Sequence, residues 1–161
     1  MNTVRFLVVG VLLVGLTACG AGKTLVLNPP QDSSFRANSI QIEPESANVD
    51  VPSSVQETFR KELADKLYAK GGFVQGNALS LRYRFIGYDA GNRFKRWLVG
   101  GLGNAGEASV AVRVSFVRDG QKLSQIQVEG KIGSGAFGGG ASNAVKKAAD
   151  QAASYALRHY R

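Results

Sequence analysis

Residues 109–132 read SVAVRVSFVR-DG-QKLSQIQVEGKI, and their patterning decides the fold. In the first half Val110, Val112, Val114 and Phe116 alternate with Ala111, Arg113 and Ser115. In the second, Ile126, Val128 and Ile132 alternate with Gln125, Gln127, Glu129 and Lys131. A period of two places one apolar and one polar face on each strand. Asp119-Gly120 between them suits a tight hairpin turn, because both positions tolerate positive φ. The stretch therefore predicts two antiparallel strands, packed on one side only.

Working outward, Ala78 to Tyr88 repeats the pattern, with Leu79, Leu81, Tyr83 and Phe85 opposed to Ser80, Arg82 and Arg84. Ile40 and Ile42 give Ser39 to Glu43 the same period, and Pro44 stops it. Helical spacing takes over after Asp50, where Val55, Phe59, Leu63 and Leu67 recur every four residues. Ser54 to Glu57 fit a capping box, Gly71-Gly72 fit a helix end, and Glu57/Lys61 and Glu62/Lys66 are spaced as ion pairs along one helix. A second helix is predicted from Ser142 to Tyr160, where Val145, Ala148, Ala149, Ala152 and Ala156 make a stripe of small residues. The order β-α-β-β-β-α predicts the α+β class: a two-layer sandwich with a mostly antiparallel sheet and both helices on one face.

The N-terminal segment carries a different message. Arg5 precedes the apolar run Phe6 to Leu16, and Leu16-Thr17-Ala18-Cys19 follows. This resembles the signal peptide and lipobox of a bacterial lipoprotein precursor. The resemblance implies cleavage after Ala18, a diacylglyceryl thioether on Cys19, and acylation of the new amine. Gly20 stands where an aspartate would retain such a protein in the inner membrane, so the expected location is the outer membrane, lipid-anchored and facing the periplasm. The expected organisation is a signal peptide over 1–18, a lipidated tether over 19–37 and a single domain over 38–161. Gly20, Gly22, Asn28-Pro29-Pro30 and Asp32-Ser33-Ser34 suit the tether, in which only Thr24 to Leu27 could form a short strand.

Composition narrows the function. The chain carries 20 basic and 12 acidic residues, a formal net charge of +8, and Arg5 is the only charge removed with the signal. Outside the cytoplasm such a surplus points to anionic lipid, a cell-wall polymer or an acidic envelope protein rather than nucleic acid. Cys19 is the only cysteine, so lipidation leaves no thiol for a disulfide, metal or nucleophile. His159 is the only histidine and is expected to complement a helix C-terminus rather than act as a base. Asp89, Glu107, Asp119 and Glu129 are isolated from one another along the chain, which supports neither a carboxylate pair nor a metal cluster. The chain is expected to be no enzyme and to hold no cofactor.

Two glycine-rich patterns are decoys. Gly101-Leu102-Gly103-Asn104-Ala105-Gly106 fits G-x-G-x-x-G, but a strand follows it where a dinucleotide site requires a helix. Gly22-Lys23-Thr24 lacks the first glycine of a phosphate loop, because position 17 is Thr. The C-terminal run from Gly133 to Lys147 is similar to part of a double-stranded-RNA-binding domain, yet an exported lipoprotein meets no duplex RNA and the first strand is extra.

The most distinctive mature segment is Gly91 to Gly103, where Arg93, Lys95 and Arg96 precede Trp97 and an apolar, glycine-rich stretch. These four residues are the candidate contact with a membrane or partner, since Trp favours the headgroup level and cations favour an anionic surface. A purely structural strand connection is the alternative. With Gly91-Asn92-Arg93, Arg96 to Gly100, Gly103, Val110 to Val114, Gly130 and Phe137-Gly138-Gly139, the chain resembles the small bacterial lipoproteins grouped as domain-of-unknown-function family 4410. That resemblance implies the lipobox and the fold, and supplies no activity. Two functions are expected from these readings. One is a non-catalytic periplasmic binding or adaptor module; the other is a structural subunit of a membrane-associated oligomer.

Overall fold

The computed structural model describes residues 22–89, 109–131 and 141–161. Five strands form one sheet: β1 (Lys23–Asn28), β2 (Ser39–Pro44), β3 (Val74–Asp89), β4 (Ser109–Arg118) and β5 (Gln121–Lys131). Two helices cover one face, α1 (Ser53–Ala64) and α2 (Ala141–Tyr160). The strand order is β1-β5-β4-β3-β2, antiparallel except where β2 runs parallel to β3 on either side of the α1 crossover. The protein is thus an α+β two-layer sandwich in which the predicted β-α-β-β-β-α order is preceded by one further strand.

Turn chemistry and side-chain period act together in the hairpin. Asp119 (φ 49°) and Gly120 (φ 78°) both take positive φ and connect Arg118 to Gln121. Continued without change, that register would place Val114 across from polar Gln125. A bulge at Phe116/Val117 moves it by one residue, so Val114 meets Ile126 and Val112 meets Val128. Burial of the apolar face selects the bulged register.

Leu79, Leu81, Tyr83, Phe85, Val110, Val112, Val114, Phe116, Ile126 and Val128 line the covered face and are buried. The Phe59 ring lies 4.9 Å from Tyr83 and 5.4 Å from Phe85, which fixes α1 over β3. The small stripe of α2 permits a closer approach. A Cβ built on Gly130 of β5 would lie 1.7 Å from the Ala144 carbonyl oxygen, so backbone touches backbone where helix crosses strand. Buried Ser124 is satisfied by the Tyr160 hydroxyl at 2.6 Å.

Several local expectations change in the fold. Helix α1 starts two residues earlier than a capping box on Ser54 requires, with Pro52 at its N-cap and no side-chain cap. Instead the Pro52 carbonyl accepts from the Val55 and Gln56 amides. After Ala64 the helix widens into a π-helical turn over Asp65–Lys70, with Leu67 still buried, and Gly72 (φ 74°) follows. Lys66 pairs with Asp150 at 2.6 Å and Lys146 with Glu62 at 3.5 Å, so these charges connect the two helices rather than turns of one helix. The helices lie side by side, and the neighbouring helix offers the nearer partner.

The stretch expected to be a tether over 19–37 enters the fold from Lys23 onward. Strand β1 pairs with β5, and the Thr24 hydroxyl donates to the Gln151 side chain of α2 at 2.9 Å. Farther on, the Gln31 amide donates to the Leu123 carbonyl, and the Phe35 ring packs against Tyr160 beneath the Arg118 guanidinium. Without β1 the outer hydrogen-bonding edge of β5 would be bare.

Candidate functional site: the polar sheet face

Side chains at odd positions of β4 and β5 and even positions of the central part of β3 point away from the helices. Among the described residues no helix covers this face. Its pairings run Glu43–Arg82–Ser115–Gln125 in one row and Arg84–Arg113–Gln127–Leu25 in the next. The first row is well satisfied. Glu43 accepts from Arg82 Nε at 2.8 Å and from Ser80 at 3.2 Å, and Gln125 donates to Ser115 Oγ at 2.8 Å.

The second row is not satisfied in the same way. Arg84 and Arg113 stand directly opposite each other, an arrangement that costs stability. The Nε atom of each is buried without a hydrogen-bond partner. Beside them Gln127 donates to Glu129 Oε1 at 2.9 Å, while Glu129 is 3% exposed and its Oε2 lacks a partner. Unpaired buried polar groups carry a desolvation cost of about 1–3 kcal/mol each. Two adjacent guanidinium groups suit the planar, bidentate hydrogen bonding of a carboxylate or phosphate. Chemically the arginine pair is a place to hold an anionic group, with the Glu129 carboxylate as its acidic neighbour among the described residues.

A cleft of about 400 Å³ opens between α1 and the β2 edge, lined by Ile42, Glu57, Arg60, Lys61, Ala64, Tyr68 and Gln75. The Tyr68 hydroxyl donates to the Ile40 carbonyl at 3.1 Å, and burial pushes the phenol pKa up. Among the described residues no three His, Cys, Asp or Glu side chains gather as a metal site. None of the helices among them is long and apolar enough to cross a membrane.

Of the sequence-predicted site residues, Cys19, Arg93, Lys95, Arg96 and Trp97 all lie outside the described residues. His159 lies with Arg158 in the last turn of α2, the place expected of it. Burial first, then Arg158 and Arg36, hold its pKa below the ordinary 6.5. The terminal carbonyls are served by Arg36, which donates to the His159 oxygen at 3.3 Å, and by the Ala37 amide, which donates to the Tyr160 oxygen at 2.7 Å.

The opposition of Arg84 and Arg113 was not legible in the alternation, which assigns each arginine to the polar face and no more. The Asp119-Gly120 turn constrains the β4–β5 register, whereas the long connection between β3 and β4 leaves theirs open.

Comparison with known proteins places this geometry. Residues 27–136 match the domain of unknown function (DUF4410). No curated protein matches the sequence. Among solved structures, the PelC dodecamer from Paraburkholderia phytofirmans is similar, with a TM-score of 0.53 at 13% identity over 88% of this chain and 99% of that one. A point variant of the same dodecamer gives a TM-score of 0.50 at 16% identity, with the same coverage. At these identities the likeness is one of fold.

Proposed function

Because the chain belongs to the DUF4410 family, whose description carries no activity, we propose its function from its own residues: a non-catalytic envelope lipoprotein that docks an acidic protein or cell-wall polymer. The observation that carries this reading is the opposed Arg84/Arg113 pair with its unmet donors. A lipid on Cys19 would hold the protein in the outer membrane, on the periplasmic side. Only three residues, Gly20 to Gly22, separate Cys19 from the first residue of β1, and the four steps reach at most ~14 Å. The sheet would therefore sit close to the bilayer, where Arg93, Lys95, Arg96 and Trp97 add a second contact with headgroups or partner.

Cross-linking in native envelopes tests the docking. Arg84→Gln with Arg113→Gln should lose the cross-linked partner while the fold persists; an unchanged partner profile rejects the face. Fatty-acid labelling tests the anchor, because the label should disappear in Cys19→Ala, and normal processing of that variant ends the lipoprotein reading. Recovery of the mature protein with the inner membrane would overturn the sorting.

A second reading, a structural subunit of a membrane-associated oligomer, is favoured by a separate observation. The exposed large apolar residues Leu25, Val26, Leu27 and Val74 lie beside the two edges of the sheet. The fold likeness to the PelC dodecamer spans 99% of that chain, so the element set of a subunit that does assemble is represented here. Mass measurement of the detergent-extracted protein tests this reading, for which a monomer is the failing outcome.

A further inference from the structure

We propose that copies of this chain join edge to edge, with β1 of one copy adding antiparallel to β2 of the next; this rests on the oligomer reading and gives it an interface. Both edge strands have six residues, and among the described residues no strand pairs with the outer side of either. Such edges are normally blunted by charge, proline or a bulge. Strand β1 has little protection: Leu25 and Val26 are 44% and 46% exposed, its only charge is Lys23, and its bulge comes after Val26.

Strand directions follow from the sheet. With β5 taken as up, β1 and β4 run down while β3 and β2 run up. A second copy in the same orientation therefore brings its β2 antiparallel to β1, and the sheet continues with all helices on one side. Facing then limits the register to in-phase pairings, and opposite charge selects among them the one that sets Lys23 against Glu43. Lys23 and Leu25 lie on the polar face with Gln41 and Glu43, whereas Thr24 and Val26 lie on the helix face with Ile40 and Ile42. The selected pairing is Lys23 with Glu43, Thr24 with Ile42, Leu25 with Gln41 and Val26 with Ile40 of the next copy.

This register joins charge to charge and covers the apolar residues together. Glu43 would hold Lys23 of the neighbour as well as its own Arg82. Val26 and Thr24 would lie along the mouth of the cleft lined by Ile42, Ala64 and Tyr68. The Ile40 carbonyl, already bonded to Tyr68, could accept a second hydrogen bond, because a carbonyl oxygen has two lone pairs. Such a contact is heterologous: each copy offers one edge and uses the other, so repetition generates a ring or a filament.

Paired cysteines test the register in the full chain in its own membrane. Leu25→Cys with Gln41→Cys places two thiols across the proposed pair, within disulfide reach of directly opposed residues. Mild oxidation should give a ladder of dimers, trimers and larger species, with wild type and either single variant remaining uncross-linked. Both positions are exposed, so thermal unfolding should match wild type. If Leu25→Cys alone gives dimers, two β1 edges meet and the head-to-tail pairing is wrong. Multimers of wild type in detergent without a ladder from the double variant overturn the interface and leave the oligomer reading standing. A wild-type monomer in detergent overturns both.

Discussion

The two faces of the sheet differ in what they leave undone. On the helix face the packing is close, and among the described residues only one neutral side-chain group there, the Tyr155 hydroxyl, is buried without a partner: Phe59 sits between Tyr83 and Phe85, Tyr160 satisfies Ser124, and Gly130 lets α2 approach to backbone contact. On the polar face, two arginines oppose each other and a buried glutamate oxygen has no partner. The first face is what stability demands. The second tolerates a local cost that stability alone would remove, which is why a ligand is sought there and not in the core.

The sharpest way to break this contrast is to substitute one glycine on each side of it. Gly130→Ala should fail to fold or lose at least about 4 kcal/mol in urea unfolding, because the new Cβ would meet the Ala144 oxygen at 1.7 Å and only a shift of α2 relieves it. Gly87→Ala should cost far less, since its Cβ would meet the Ala111 Cβ at 3.4 Å. Equal effects would show that the two faces are equally close-packed.

Phe59→Ala comes next, with an expected loss of about 3–5 kcal/mol from a fully buried ring. By contrast, Arg84→Met should leave stability within about 1 kcal/mol or raise it, because it removes an opposed like charge. Its effect belongs in partner cross-linking. A loss of several kcal/mol on Arg84→Met would make the arginine pair a structural element and remove the case for docking.

Smaller effects sharpen the helix side. Lys66→Ala breaks the pair with Asp150, whose side chain is 48% exposed, and should change stability by no more than about 1 kcal/mol. His159 gives a pH test with a definite sign. Its folded pKa lies below the ordinary 6.5, so the unfolded chain takes up the proton first. Stability from this group is full above pH 6.5 and is lost as pH falls through the lower folded value. His159→Gln should flatten that acidic slope; an unchanged slope would assign it to another group.

Much of the fold was legible because period and turn chemistry are local. The alternation in 109–131 names Val110, Val112, Val114, Phe116, Ile126 and Val128 beneath the helices, Asp119-Gly120 names the hairpin, and the small stripe of α2 anticipates a close helix crossing. Strand β1 was harder to place, because Thr24 to Leu27 is short and sits among glycine and proline. Its place depends on the edge of β5, about a hundred residues away. The candidate site was half legible for the same reason: alternation puts Arg84 and Arg113 on the polar face, but no local signal sets the register that opposes them.

The sequence by itself determined the element types, the covered face and the hairpin turn, since each follows from near neighbours and from the need to bury apolar surface. Tertiary structure decided the strand order, the capping of α2 by Arg36 and Ala37, the ion pairs between helices, the bulge that brings Val114 to Ile126, and the meeting of Arg84 with Arg113. These depend on which distant groups become neighbours. That choice is made by the packing of the whole sheet against both helices, and no short window of sequence contains it.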